Sequence, residues 1–121
     1  EMYSRRWGHC SAGGSAVSKR VARPIGYIHM SVPVDRNDDA YFRPLGDLKL
    51  QNGTELYLGL VHADGDKSVK ARIAAATKYV SSFGIATECG IARARKPHVV
   101  RKLIKAHAEV SQEPQRKGRR A

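Results

Sequence analysis

The 121-residue sequence has little cysteine, two residues only (Cys10 and Cys89), and no CxxC pair. That excludes a disulfide-stapled secreted scaffold and fits a reducing, cytoplasmic setting. Aromatic residues are 7% of the chain, and no RNP, KH, helix-turn-helix or zinc-finger pattern occurs. No apolar run approaches the ~20 residues of a membrane-spanning helix, so no membrane partner is expected. The opening EMYSRRWGHC lacks the apolar centre of a signal peptide. The chain is too short for two domains with separate cores. It is also about half the ~250 residues of a closed eight-stranded α/β barrel. Acidic side chains are scarce: 11 Asp and Glu stand against 22 Lys and Arg, a net charge of +11.

What is present narrows the choice. Apolar residues are 41%, enough to build a core and to exclude general disorder. The positive excess favours anionic partners: nucleic acid, phosphate esters or polycarboxylates. It is unevenly placed. Residues 1–92 carry 12 basic and 9 acidic side chains, whereas residues 93–121 carry 10 basic and 2 acidic. The chain starts at Glu1, not Met, and reads as a processed product or a piece of something longer.

Three stretches follow from composition. Residues 1–23 are Gly/Ser-rich and irregular, with the end of a helix over Ser15–Val21 stopped by Pro24. Gly8, Gly13 and Gly14 lack the Lys and the preceding strand of a phosphate loop, and that reading is rejected. Residues 24–111 carry the α/β pattern, and residues 112–121 form a basic, disordered tail.

Within the middle stretch, Ile25–Val34 holds a buried strand that ends before Pro33. An Asp/Asn/Gly/Pro-rich loop follows, with one turn of helix near Asp38–Arg43. Loops of that length in compact domains are often functional. Leu56–His62, LYLGLVH, is apolar on both faces, as in a parallel sheet covered by helices. Ser68–Ser82 is the strongest helix, capped by Asp66 or Ser68. Its stripe is Val69, Ile73, Ala76 and Val80, with Lys67, Lys70, Arg72 and Lys78 mostly off it. Gly84 reads as its C-terminal cap, and Gly84–Glu88 as a short strand. A last helix starts at Pro97, with Val100, Leu103, Ile104, His107 and Val110 as its apolar face.

Alternating apolar strands and amphipathic helices imply parallel β/α units. Such folds place chemistry at the C-terminal ends of their strands. Here those ends carry His29, His62 and Glu88-Cys89. Two imidazoles, a carboxylate and a thiol at one rim make a donor set suited to zinc. The plain alternatives are a small buried Cys89 before a glycine turn and hydrogen-bonded rim histidines. His9 beside Cys10 is a further candidate pair, without a strand to position it. His107, on a helix face, reads as packing.

Three segments carry a family resemblance: RPIGYIHMSVPVDRNDDAYFRPL from Arg23, LYLGLVH from Leu56 and ATECGIARAR from Ala86. Together, Arg23 to about Val110 resembles the C-terminal part of the catalytic barrel of cobalamin-independent methionine synthase. It is similar also to shorter proteins of the superfamily that contains uroporphyrinogen decarboxylase. The resemblance implies the C-terminal part of a TIM-type (α/β)8 barrel, incomplete in this chain, and zinc-dependent methyl transfer to a thiol. It implies a zinc ligand in Cys89, a catalytic role for His62 in proton handling or substrate contact, and substrate contacts from His29 and Glu88. The family's carboxylate ligand falls on the strand matching Tyr27–Met30, where this sequence has His29 and Met30. Its His-x-Cys pair precedes that strand at a spacing Gly8-His9-Cys10 does not match. The expected protein is therefore a fragment or divergent member, inactive alone, with a small anionic or thiol substrate once the barrel is complete. Exposed sheet edges would favour self-association. The alternative is a small basic binding module, with Arg93, Arg95, Lys96, Arg101 and Lys102 facing nucleic acid or phosphate.

Overall fold

In the computed structural model, residues 13–88, 90–91 and 93–112 are described. The first twelve residues, Cys89, Ala92 and the tail after Gln112 lie outside them, and with them the His9–Cys10 pair. Three parallel strands make one sheet in the order β1-β2-β3: β1 Tyr27–Ser31, β2 Glu55–Val61 and β3 Gly84–Thr87. Four α-helices accompany it: α1 over residues 13–20, α2 Asp39–Phe42, α3 Asp66–Thr77 and α4 Pro97–Gln112. The chain is thus mixed α/β with a parallel sheet. Three strands do not close a barrel.

Parallel neighbours need a crossover, and each connection supplies one. Between β1 and β2 the long loop folds into α2 and the 3₁₀ turn Arg43–Asp47. Asp38 caps α2 through its carboxylate, which accepts from the Tyr41 amide at 3.1 Å. The helical turn expected near Asp38–Arg43 is therefore present, and it delivers Tyr41 and Phe42 into the core. α1 covers most of Ser15–Val21, where the end of a helix is expected, and begins two residues earlier, within the stretch otherwise read as irregular. Gln51 holds its end: its amide nitrogen donates to the Ser18 and Val21 carbonyls at 3.0 Å, and its oxygen accepts from the Ile25 amide.

The register Ile28↔Leu56 and Met30↔Leu58 puts one face of β1 and β2 together. Leu56, Leu58 and Leu60 meet Met30 and Val32 in the main core cluster, under Tyr41, Phe42, Leu45, Ala75 and Ala76. Each such large side chain contributes roughly 1.5–3 kcal/mol by leaving water. The pairing of β2 with β3 shifts between Leu58 and Val61, so Val61 lies opposite Thr87. This irregularity breaks the alternation, and Leu60 and Val61 are both fully buried. Val61 belongs to a second cluster with Val69 of α3 and Val110 of α4.

Two expectations for α3 need correction. Its N-cap is Gly65, at φ 99, with no side-chain cap; Asp66 instead lies in the first turn, where its charge suits the helix dipole. It ends at Thr77, because the Tyr79 and Val80 amides both turn back onto the Ala76 carbonyl at 3.0 Å. Gly84 is the first residue of β3, not a helix cap. A Cβ there would run into the ring of Tyr57 on the adjacent strand.

The larger difference is Arg72, read as lying off the buried stripe. It is 1% exposed, among the most buried side chains of the described residues. Its guanidinium binds Asp64 through two parallel contacts, Nη1 to Oδ2 at 2.8 Å and Nη2 to Oδ1 at 2.7 Å. Nε donates to the Leu60 carbonyl at 2.9 Å and Nη1 to the Val34 carbonyl at 2.8 Å. Four of the five guanidinium N–H donors are thus used. The bonds from Arg72 hold the Asp64 carboxyl below its ordinary value of 3.8, against a smaller opposing push from burial.

Arg72→Met leaves Asp64 exposed but takes the donor from the Leu60 and Val34 carbonyls, and is expected to lower unfolding stability by about 1–3 kcal/mol in urea titrations. Because the folded Asp64 pKa is depressed, its contribution is complete above the unfolded carboxylate value and is lost as pH falls through the folded value. Stability curves from pH 7 down to 2 should therefore show a shallower acid slope in Asp64→Asn than in the parent chain. Gly84→Ala should cost about 1–3 kcal/mol in the same urea assay, through displacement of the Tyr57 ring.

Candidate functional site at the C-terminal rim

β1, β2 and β3 end side by side, and the residue after β2 is His62. It is 3% exposed. Its Nε2 lies 2.7 Å from the carbonyl of Val32, just past β1. A carbonyl only accepts, so Nε2 carries the proton. The other ring nitrogen, Nδ1, faces Glu88 Oε2 at 3.5 Å, just past β3. The second Glu88 oxygen is held by Arg95 Nη2, and Arg95 Nη1 reaches back to the Ile91 carbonyl at 3.4 Å. A single polar line therefore crosses the rim: Val32 carbonyl, His62, Glu88, Arg95. A proton on Nδ1 would turn the His62–Glu88 contact into a charge-assisted bond.

The loop after β3 is shaped to bring Arg95 back. The Arg93 amide bonds to the Gly90 carbonyl at 2.9 Å, with Gly90 at φ 69 and Ala94 at φ 54. Ala94 is the one non-glycine residue with positive φ among the described residues. That conformation is uncommon for a side chain with a Cβ and is held here by the loop around it.

Of the rim residues expected from sequence, His62 and Glu88 come together. Cys89 lies outside the described residues. His29 does not join them: it is the central residue of β1, paired with Tyr57. Its Nε2 would sit 3.3 Å from a Cβ placed on Gly59, so the absent side chain at Gly59 leaves room for the ring. The strand continues to Ser31, and the rim lies beyond it.

The basic residues also separate. Arg93, Lys96, Arg101 and Lys102 are exposed, but Arg95 is half-buried against Glu88. Lys102 lines a cleft of about 350 Å³ beside His62, with Lys105, Asp66 and Glu109. His107 is spent structurally, with Nε2 3.2 Å from the Ile85 carbonyl and Nδ1 3.3 Å from Ser111 Oγ. On α4, Leu103 and Val110 are buried as expected, while Ile104 is 57% exposed.

Sequence reading missed the Arg95–Glu88 and Arg72–Asp64 pairs. Glu88 and Arg95 bracket the glycine-containing ECGIARAR turn, and Asp64 and Arg72 bracket Gly65; those spacings were the available signals. Among the described residues, no three His, Cys, Asp or Glu side chains converge as metal ligands. No described helix is long and apolar enough to cross a membrane. No family model, curated protein or solved structure matches the chain.

Replacing His62 by Leu keeps the volume but leaves the buried Val32 carbonyl unpaired, at a cost of about 1–3 kcal/mol. Glu88→Gln keeps that bond and should cost less than about 1 kcal/mol, because its side chain is partly exposed. Chemical denaturation of the two variants checks the order; equal losses would contradict the assignment of His62 to the Val32 carbonyl.

Proposed function

We propose that this chain is a portion, or a divergent member, of the methionine synthase-like superfamily barrel. It contributes successive β/α units and part of the rim at which a methyl group passes to a thiol, in a zinc-dependent reaction. It does not turn over alone. The observation that carries the reading is the meeting of His62 and Glu88 at the C-terminal ends of adjacent parallel strands, with Cys89 next to Glu88 in sequence. That is where parallel α/β folds bind substrates. On this reading the substrate is a small thiol or anion, the location cytoplasmic, and the missing units come from another segment, another chain or self-association.

The described residues do not make a complete zinc site. Both ring nitrogens of His62 are engaged, and Glu88 is shared between His62 and Arg95. No step is therefore routed through the metal. What these residues do is hold the rim: Arg95 fixes Glu88, Glu88 faces His62, and His62 ties the ends of β1 and β2 together.

Elemental analysis of the purified chain, alone and mixed with the N-terminal barrel half of a methionine synthase-like protein, tests the proposal. Zinc should approach one ion per complex only in the mixture, and methyl transfer to homocysteine should appear with it. Cys89→Ala should abolish both. Zinc loading indifferent to Cys89→Ala would sink the reading.

A second reading has its own observation: Arg93, Lys96, Arg101 and Lys102 all remain exposed in the loop after β3 and on α4. They would give salt-dependent binding to nucleic acid or phosphate. Affinity for a single-stranded oligonucleotide should fall at least tenfold between 50 and 200 mM salt. A flat salt response, or undiminished binding after reversing Arg101 and Lys102 to Glu, would remove this alternative.

A further inference from the structure

At the end of the sheet opposite the rim, the described residues leave the main core open. Eight partly buried apolar residues pack on that core, and five of them, Leu48, Leu50, Tyr79, Val80 and Phe83, line one groove of about 630 Å³. Its two walls are the segment before β2 and the turn that leads from α3 into β3, with the buried Leu56 between them. Ser81 and Ser82, both exposed, lie at its edge. An apolar interior with a hydroxyl-bearing edge suits a side chain with a large apolar body and one polar tip, as tryptophan has.

The chain carries such a side chain within reach. α1 starts against one wall of the groove: a Cβ on Gly14 would stand 3.3 Å from Leu48 Cδ1, and the Lys49 amide donates to Ser15 Oγ at 3.0 Å. The twelve residues ahead of α1, EMYSRRWGHCSA, hold Trp7, the single tryptophan of the chain, together with Met2 and Tyr3. From the first residue of α1 back to Trp7, an extended chain spans at most ~20 Å. The bonds from Gln51 to the Ser18 and Val21 carbonyls fix α1, and so fix the point from which this segment departs.

We propose that residues 1–12 dock on this groove within the same chain, with the Trp7 indole as anchor against Leu48, Leu50, Tyr79 and Val80. Attachment through α1 favours this occupant over a second copy or a free ligand, because a short tether gives an effective concentration on the order of mM. Docked there, the segment closes the open end of the core. Glu55 and Tyr57 alternate with Leu56 and Leu58 along β2, point to the other face of the sheet and take no part. The site is separate from the rim and does not depend on the barrel reading.

As the sole tryptophan, Trp7 reports on its own surroundings in the full chain. Its emission should be blue-shifted from that of the urea-unfolded chain, and acrylamide should quench it at least about threefold less, since the indole is removed from water. Neither value should change with protein concentration. Tyr79→Ser should return the quenching toward the unfolded level. Trp7→Ser, which leaves every groove residue in place, should shift the backbone NMR signals of Leu48, Leu50, Tyr79 and Val80 and spare those of His62 and Glu88. If Tyr79→Ser fails to fold, the Trp7→Ser shift map decides alone. The proposal is overturned by quenching equal to that of the unfolded chain, by protection that grows with protein concentration, or by a Trp7→Ser map that misses the groove.

Discussion

The rim is built around the guanidinium of Arg72. It reaches from α3 to the last turn of β2 at the Leu60 carbonyl, to the chain leaving β1 at the Val34 carbonyl, and to Asp64 in the β2–α3 turn. Burial of a charge is expensive, and the Coulombic gain of a buried pair seldom exceeds that cost by much. What recovers it is the number of directed bonds and their geometry. Arginine alone offers a rigid fork with a further Nε–H, so one side chain can fasten three pieces of chain at once. Lysine would keep the charge and lose that geometry. The same three pieces flank His62, and its ring adds a fourth tie, to Val32. The shape of the rim is thus set from below by one ionic clamp and from above by one imidazole.

This clamp explains why the site was only partly legible. β2 was visible because LYLGLVH is apolar without alternation, and the break in its pairing with β3 buries Leu60 and Val61 together. α4 was visible from Pro97 and its apolar face. Arg72 was hidden because periodicity counts apolar residues only. It lies three residues after Val69 and four before Ala76, on the same buried stripe, and reads as an interruption. The end of α3 was misplaced for a related reason. Gly84 has two uses, cap or close approach, and only the Tyr57 ring on the neighbouring strand decides between them. His29 was taken for a strand end because Pro33 marks the end of the apolar run only to within a few residues. The long loop was visible, but its core residues, Tyr41, Phe42 and Leu45, were masked by the polar residues around them.

Charge is organised locally in a way the total conceals. At the rim, Arg72 meets Asp64 and Arg95 meets Glu88, so two of the cations expected to face solvent are consumed by partners. The exposed surplus is left to the loop after β3 and to α4. At the far end of the sheet the local sign reverses at Glu55, which accepts from the Tyr57 hydroxyl and makes no ion pair among the described residues. A net charge of +11 therefore predicts long-range attraction of polyanions to the whole chain. It does not predict the local sign of the field, where one carboxylate a few ångströms away outweighs screened charges beyond a Debye length.

His62 poses the last question of chemistry. A histidine that moves protons needs one nitrogen open to substrate. Here Nε2 is committed to a carbonyl and Nδ1 faces a carboxylate, within a side chain that is almost fully buried. The two commitments are unequal. The Val32 bond is short, buried and made by backbone on one side; the Glu88 contact is longer and its carboxylate is partly exposed. The weaker tie is therefore the one at Nδ1, and Arg95 reinforces it, since it holds the other Glu88 oxygen and is itself bonded to the Ile91 carbonyl.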